Sequence, residues 1–285
     1  MKNGWEAKHY IILRFILGFA LLLHFVELIP WASLIFSNQG MVPDANVSPL
    51  TKAFPNIISI FDDPFAINLF NFSGILASIL FMLGFKSRVS GLWIWYIFAC
   101  YVGRNPLINN PGLSFLGWIL IANCFIPSAP SIFSLSSKSS ETLKSEWKLP
   151  DNLFLVFWIV TSLAYGYSGF TKLGSPSWLD GSAVHEAMYL PLARPSLLRD
   201  FMLQLPLPIF MGLTWGSLAL ELFYGFLAFS KKLRPVIWFL MISMHLGLLV
   251  LMQFAELSIA MILFQFFLFD PDWVKSKNDL HNDLS

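Results

Sequence analysis

Long apolar runs broken by short polar segments dominate this chain. Hydropathy places eight runs, at about residues 10–35, 67–85, 89–103, 113–130, 153–171, 209–229, 235–252 and 255–269. A helix needs about 20 residues to cross a bilayer, and most of the runs approach that length. Lipid offers no partner to an unpaired backbone group, so each run is expected to be helical. The predicted fold is all-α, a polytopic transmembrane helical bundle of about eight spans. The run at 255–269 is short and suits a tilted or buried segment.

The connections carry their own signals. Residues 86–88 and 230–234 read as tight turns. Residues 131–150, rich in Ser, Lys and Glu, read as a linker joining two four-helix halves, 1–130 and 151–275, of one transmembrane domain. The segments 36–66 and 172–208 are proline-punctuated but too apolar to float free, so short helices are expected there.

Charge placement orients the bundle. Twelve Lys and Arg residues, among them Lys8, Lys86, Arg88, Lys148, Lys231 and Arg234, fall on one side of the predicted spans. Five fall on the other: Lys52, Arg104, Lys172, Arg194 and Arg199. The richer side is cytoplasmic by the positive-inside rule. Both termini are then cytoplasmic, and Lys172 faces outward, from the plasma membrane if the host is a bacterium.

Composition agrees. The chain is 56% hydrophobic and 12% charged, against about 25% charged in soluble domains. A net charge of +1 without a basic tail gives no reason to expect a nucleic-acid partner. Cys100 and Cys124 lie in different runs, so no disulfide is expected. No phosphate loop, dinucleotide fingerprint, metal-ligand spacing or nucleophile elbow occurs.

Ionisable residues at membrane depth are functional candidates. The first run holds Arg14, then His24 and Glu27, which share a helix face. Glu221 lies near the middle of the sixth run and His245 near the middle of the seventh. His24, Glu27, Glu221 and His245 are expected to face the interior, at least two of them hydrogen-bonded. They read either as glue between helices or as a proton relay or cofactor site. Glu256, at the start of the last run, could pair with Lys172 or Arg104, or be solvated. Asn109 and Asn110, in the turn from Arg104 to Gly112, read first as groups satisfying their own turn.

One stretch stands out. An apolar run leads into Tyr165-Gly166-Tyr167-Ser168-Gly169-Phe170-Thr171-Lys172-Leu173, followed by Trp178-Leu179-Asp180-Gly181. The plain reading of Lys172 is an anchor that snorkels to the headgroups. The functional reading is a chemical group at the rim of an apolar bundle.

Ser168 to Leu173 with Trp178 to Gly181 resembles the signature of the HTTM superfamily, which includes the membrane part of vitamin K-dependent gamma-carboxylase. Arg14 to Gly18, Leu83 to Arg88, Leu220-Glu221-Leu222, Met244-His245 and Phe269 to Trp273 resemble further pieces of that family, in the same order. The resemblance implies a helical membrane enzyme, a quinone-linked lyase or epoxidase. It implies that Lys172 is the base that deprotonates a reduced, vitamin K-type quinone. That role needs a neutral amine, which burial favours. It brings His245 into a catalytic role, and Trp178, Glu221, Asn109 and Asn110 into the pocket. Pro111 stands where the carboxylase has a histidine, and the carboxylase continues into an outer domain beyond the position of Trp273. Short bacterial members similar to the sporulation-delaying toxin maturation proteins act on a secreted peptide. A second expectation is therefore a non-catalytic maturation, export or immunity partner of a small secreted peptide. A transporter is a third, weakened by the lack of an inverted repeat.

Overall fold

The computed structural model describes residues 3–108, 110–131 and 147–274, except the side chain of Lys52. The described residues are helical and contain no strand; a single isolated bridge joins Ala193 and Met252. Most of the predicted linker 131–150 lies outside them. The chain forms two compact units, Trp5–Pro150 and Asp151–Ser285, the latter with Met1–Gly4.

In the first unit the helices are α1 (Ala7–Glu27), α2 (Ala32–Phe36), α3 (Pro64–Leu83), α4 (Ser87–Arg104) and α5 (Pro111–Ala122). The first apolar run is therefore not one helix. Pro30 has no amide proton and disfavours helical geometry before it; α1 stops at Glu27 and the chain restarts at Ala32. Asp63 caps α3 by accepting from the Phe65 and Ala66 amides, with Pro64 at the first helical position. Gly84, at φ 82°, closes the same helix in the left-handed conformation. Polar groups bind these helices together. Asn71 donates to the Phe25 carbonyl at 3.0 Å and accepts from the Tyr101 hydroxyl at 3.1 Å. The fully buried Arg14 donates to the Pro130 carbonyl at 2.8 Å.

The second unit contains α6 (Asp151–Lys172), α7 (Pro176–Asp180), α8 (Ala183–Ala187), α9 (Leu197–Met202), α10 (Leu207–Phe229), α11 (Arg234–Leu251) and α12 (Ala255–Leu268). Helices α6 and α10 are its spine. They bury Trp158, Thr161, Tyr165 and Gly169 from one side, and Thr214, Leu218, Glu221, Tyr224 and Ala228 from the other. The spacing of three and four residues is that of a helix stripe. Helix α12 packs on α11, where the Trp238 indole donates to the Gln265 carbonyl at 2.7 Å.

Among the described residues, five helices are long and apolar enough to cross a membrane: α1, α3, α6, α10 and α11. Helices α5 and α12 are apolar but shorter. Helix α4 carries arginines at both ends of an 18-residue segment rich in Trp and Tyr. Helices thus stand at all eight predicted positions, and five of them meet the length and hydropathy of a span. Cys100 and Cys124 are both free.

Candidate functional site

Lys172 ends α6, and the chain folds back at once. Pro176 opens the short α7, and Gly181, at φ 88°, reverses it in a conformation that side chains resist. The return is pinned to α10. The Trp215 indole donates to the Leu179 carbonyl at 3.2 Å, and the Val184 amide donates to the Thr214 hydroxyl at 3.1 Å. The hairpin thereby holds the Trp178 ring over the ammonium, with Nζ 4.6 Å from the ring centroid.

Beneath that ring Lys172 Nζ donates to both oxygens of Glu221, at 2.5 Å each. The lysine side chain is 24% exposed and the glutamate 7%. Glu221 reaches it because α6 and α10 approach closely one turn away. A β-carbon at Gly169 would lie 3.0 Å from both the Leu222 amide nitrogen and its Cγ, so glycine is needed there. The amine does not point freely into solvent. A carboxylate at this distance stabilises the ammonium.

Deeper on the same face of α6, two turns from Lys172, the Tyr165 hydroxyl meets His245 Nε2 at 2.8 Å. Gln265 of α12 donates to that hydroxyl through Nε2 at 3.2 Å. The Tyr224 ring, three residues along α10 from Glu221, lies 4.8 Å from the Tyr165 ring. Beyond it Trp158 packs on Tyr224 at 6.0 Å and under the Arg234 guanidinium at 5.6 Å. One polar stripe thus runs along the α6–α10 interface from Lys172 to Arg234.

Of the residues named from the sequence, Lys172, Trp178 and Glu221 converge on one site. His245 is buried as expected, bonded to Tyr165. Asn110 belongs to the first unit, where its side chain accepts from the Gly112 amide and caps α5. Asn109 lies outside the described residues. Glu27 does not face the interior: it is the last residue of α1 and is exposed. His24 is half-buried, with its ring edge-on to Phe25 and Phe98. The carboxylate bound to Lys172 is that of Glu221, and Arg104 faces Asp62 at 3.7 Å. Tyr165, Tyr224 and Gln265 were not named as site residues because a single uncharged polar residue is tolerated within a long apolar run. Their one signal was position: Tyr165 and Trp158 precede Lys172 by seven and fourteen residues, on one helix face.

The chain was compared with known protein families, curated proteins and solved structures, and no match was found.

Proposed function

We propose that this protein is a multi-pass membrane enzyme of the HTTM type, with Lys172 as base on a lipid-soluble cofactor or substrate, plausibly a reduced quinone. The observation that carries the reading is the Lys172–Glu221 pair under the Trp178 ring, since an amine so enclosed is expensive unless it is used. In this reading Glu221 takes the ammonium proton, and the resulting amine takes a proton from an acidic O–H of the substrate. Lys172 returns to the ammonium and leaves a phenolate-type anion beside it. Trp178 supplies an aromatic face for a flat ring. The proposal carries eight spans, with both termini cytoplasmic and the site outward, on the strength of the Lys and Arg distribution.

Lys172→Arg tests it. Arginine keeps the positive charge beside Glu221 but holds its proton throughout the accessible pH range. Purified protein in lipid is supplied with a reduced naphthoquinone in air, and loss of the reduced form is followed by absorbance. The expected result is acceleration by wild type and none by the variant, with thermal stability retained. No acceleration by wild type, or an undiminished rate with arginine, overturns the base reading.

A second reading, a non-catalytic partner of a small secreted peptide, is favoured by one observation. The segment between α6 and α10 exposes Tyr189, Leu190, Leu192, Leu197 and Phe201, with Leu197 90% exposed. Under this reading, substitutions there impair peptide maturation more than any change at Lys172.

A further inference from the structure

We infer that Tyr165 holds His245 as the neutral imidazole with its proton on Nδ1, and that this buried N–H forms a second site taking a neutral oxygen acceptor. The hydrogen-bond partners of Tyr165 favour one tautomer. An amide nitrogen can only donate, so the Gln265 NH2 group, 3.2 Å away, occupies a lone pair of the Tyr165 oxygen. The hydroxyl proton has His245 Nε2, 2.8 Å away, as its acceptor; were Nε2 the donor instead, both that proton and the Nδ1 lone pair would be left unpaired. An Nε2 that accepts leaves the proton of a neutral ring on Nδ1.

That Nδ1 is buried and has no partner among the described residues. It is not alone. Gln265 Oε1, the Tyr224 hydroxyl and the Ser258 hydroxyl are also buried without a partner there. His245 is 4% exposed, and Gln265, Tyr224 and Ser258 are each 0% exposed. Unpaired buried polar atoms are costly unless something bonds to them. The nearest carboxylate on the stripe, Glu221, has both oxygens on Lys172. The acceptor is therefore a neutral oxygen, a hydroxyl, ether or carbonyl, either of internal water or of a lipid-soluble molecule between the helices. The inference does not depend on Lys172 acting as a base.

Solid-state NMR of the full-length, perdeuterated, 15N-histidine-labelled protein, back-exchanged and held in a bilayer, tests it. The five histidines give few signals. His245→Gln identifies the one at issue, and His9, whose Nδ1 accepts from the Glu6 amide at 3.0 Å, provides the opposite tautomer as a reference. The expected result is a neutral Nδ1–H ring for His245 that shifts towards Nε2–H in Tyr165→Phe. A Tyr165 that merely packs leaves the ring unchanged, because phenylalanine preserves the contact. Polarisation transfer from water to the Nδ1 proton identifies water as the acceptor's source. Transfer from carbon-bound protons, which the deuterated protein lacks, identifies a lipid-soluble molecule. An Nε2–H ring or an imidazolium in wild type overturns the inference, as does an Nδ1 proton in contact with neither source. If Tyr165→Phe fails to fold, the wild-type spectrum still decides the tautomer, with His245 assigned by His245→Gln or by sequential correlations in uniformly labelled protein.

Discussion

Gly169 of α6 stands against Leu222 of α10, where an added β-carbon would lie 3.0 Å from the Leu222 amide nitrogen and could fit only if the helices gave way. The Lys172–Glu221 pair, one turn along α6, depends on that approach. Gly169→Ala is expected to separate the two helices and cost about 1–3 kcal/mol, as overpacking does. Gly169→Val should cost more. Thermal unfolding in detergent checks both; an unchanged melting temperature for the alanine variant would show that the helices can part freely.

The ion pair itself gives a second expectation. Removing one partner leaves a charge in a poorly solvated place, typically at about 3–5 kcal/mol for a buried pair. Lys172 is 24% exposed and Glu221 7%, so the lower end applies. Lys172→Met should therefore destabilise strongly, and Lys172→Met with Glu221→Leu should recover most of the loss. Equal destabilisation by the single and double variants, read from denaturation midpoints, would mean that the pair is not coupled.

Trp178 contributes less. Losing a cation–π contact at a partly exposed lysine costs about 0.5–1 kcal/mol. Trp178→Ala should show that loss and Trp178→Phe part of it. If Trp178 also provides the face on which a flat ring lies, the alanine variant should weaken reduced-quinone binding, measured by quenching of intrinsic fluorescence, well beyond its effect on stability.

In the first unit, Arg104 is fully buried, 3.7 Å from Asp62, and donates to the Pro43 carbonyl at 3.3 Å. Its Nε and Nη1 have no partner among the described residues. Asp62→Ala removes the only carboxylate within ion-pair distance of the guanidinium there and should cost about 3 kcal/mol. Chemical unfolding of the variant measures it. A cost below about 0.5 kcal/mol would place this pair with weak surface bridges.

What the sequence disclosed followed from the strength of each signal. Helices stand at all eight apolar runs, the first of them split at Pro30, because a long apolar run leaves the backbone little choice. Pro30 was visible but was outweighed by the run around it, so α1 was drawn too long and Glu27 was drawn inside. Lys172, Glu221 and His245 were legible as charges out of place. That Lys172 pairs with Glu221 was not legible, because it depends on how closely α6 and α10 approach. Asn110 caps α5 through the Gly112 amide, in line with the reading of that turn as one that satisfies its own backbone.

The stripe shared by α6 and α10 also decides how these helices can be set against one another. Sliding α6 by one turn along its neighbour would bring Lys172 opposite Ser217 or Tyr224, strand Glu221, and drive Gly169 away from Leu222. Each mismatch is costly in an apolar medium, and all of them arise together. The pair behaves like a lock with a single key position, so motion in this unit should come from rotation or from its loops, not from slippage along the axis.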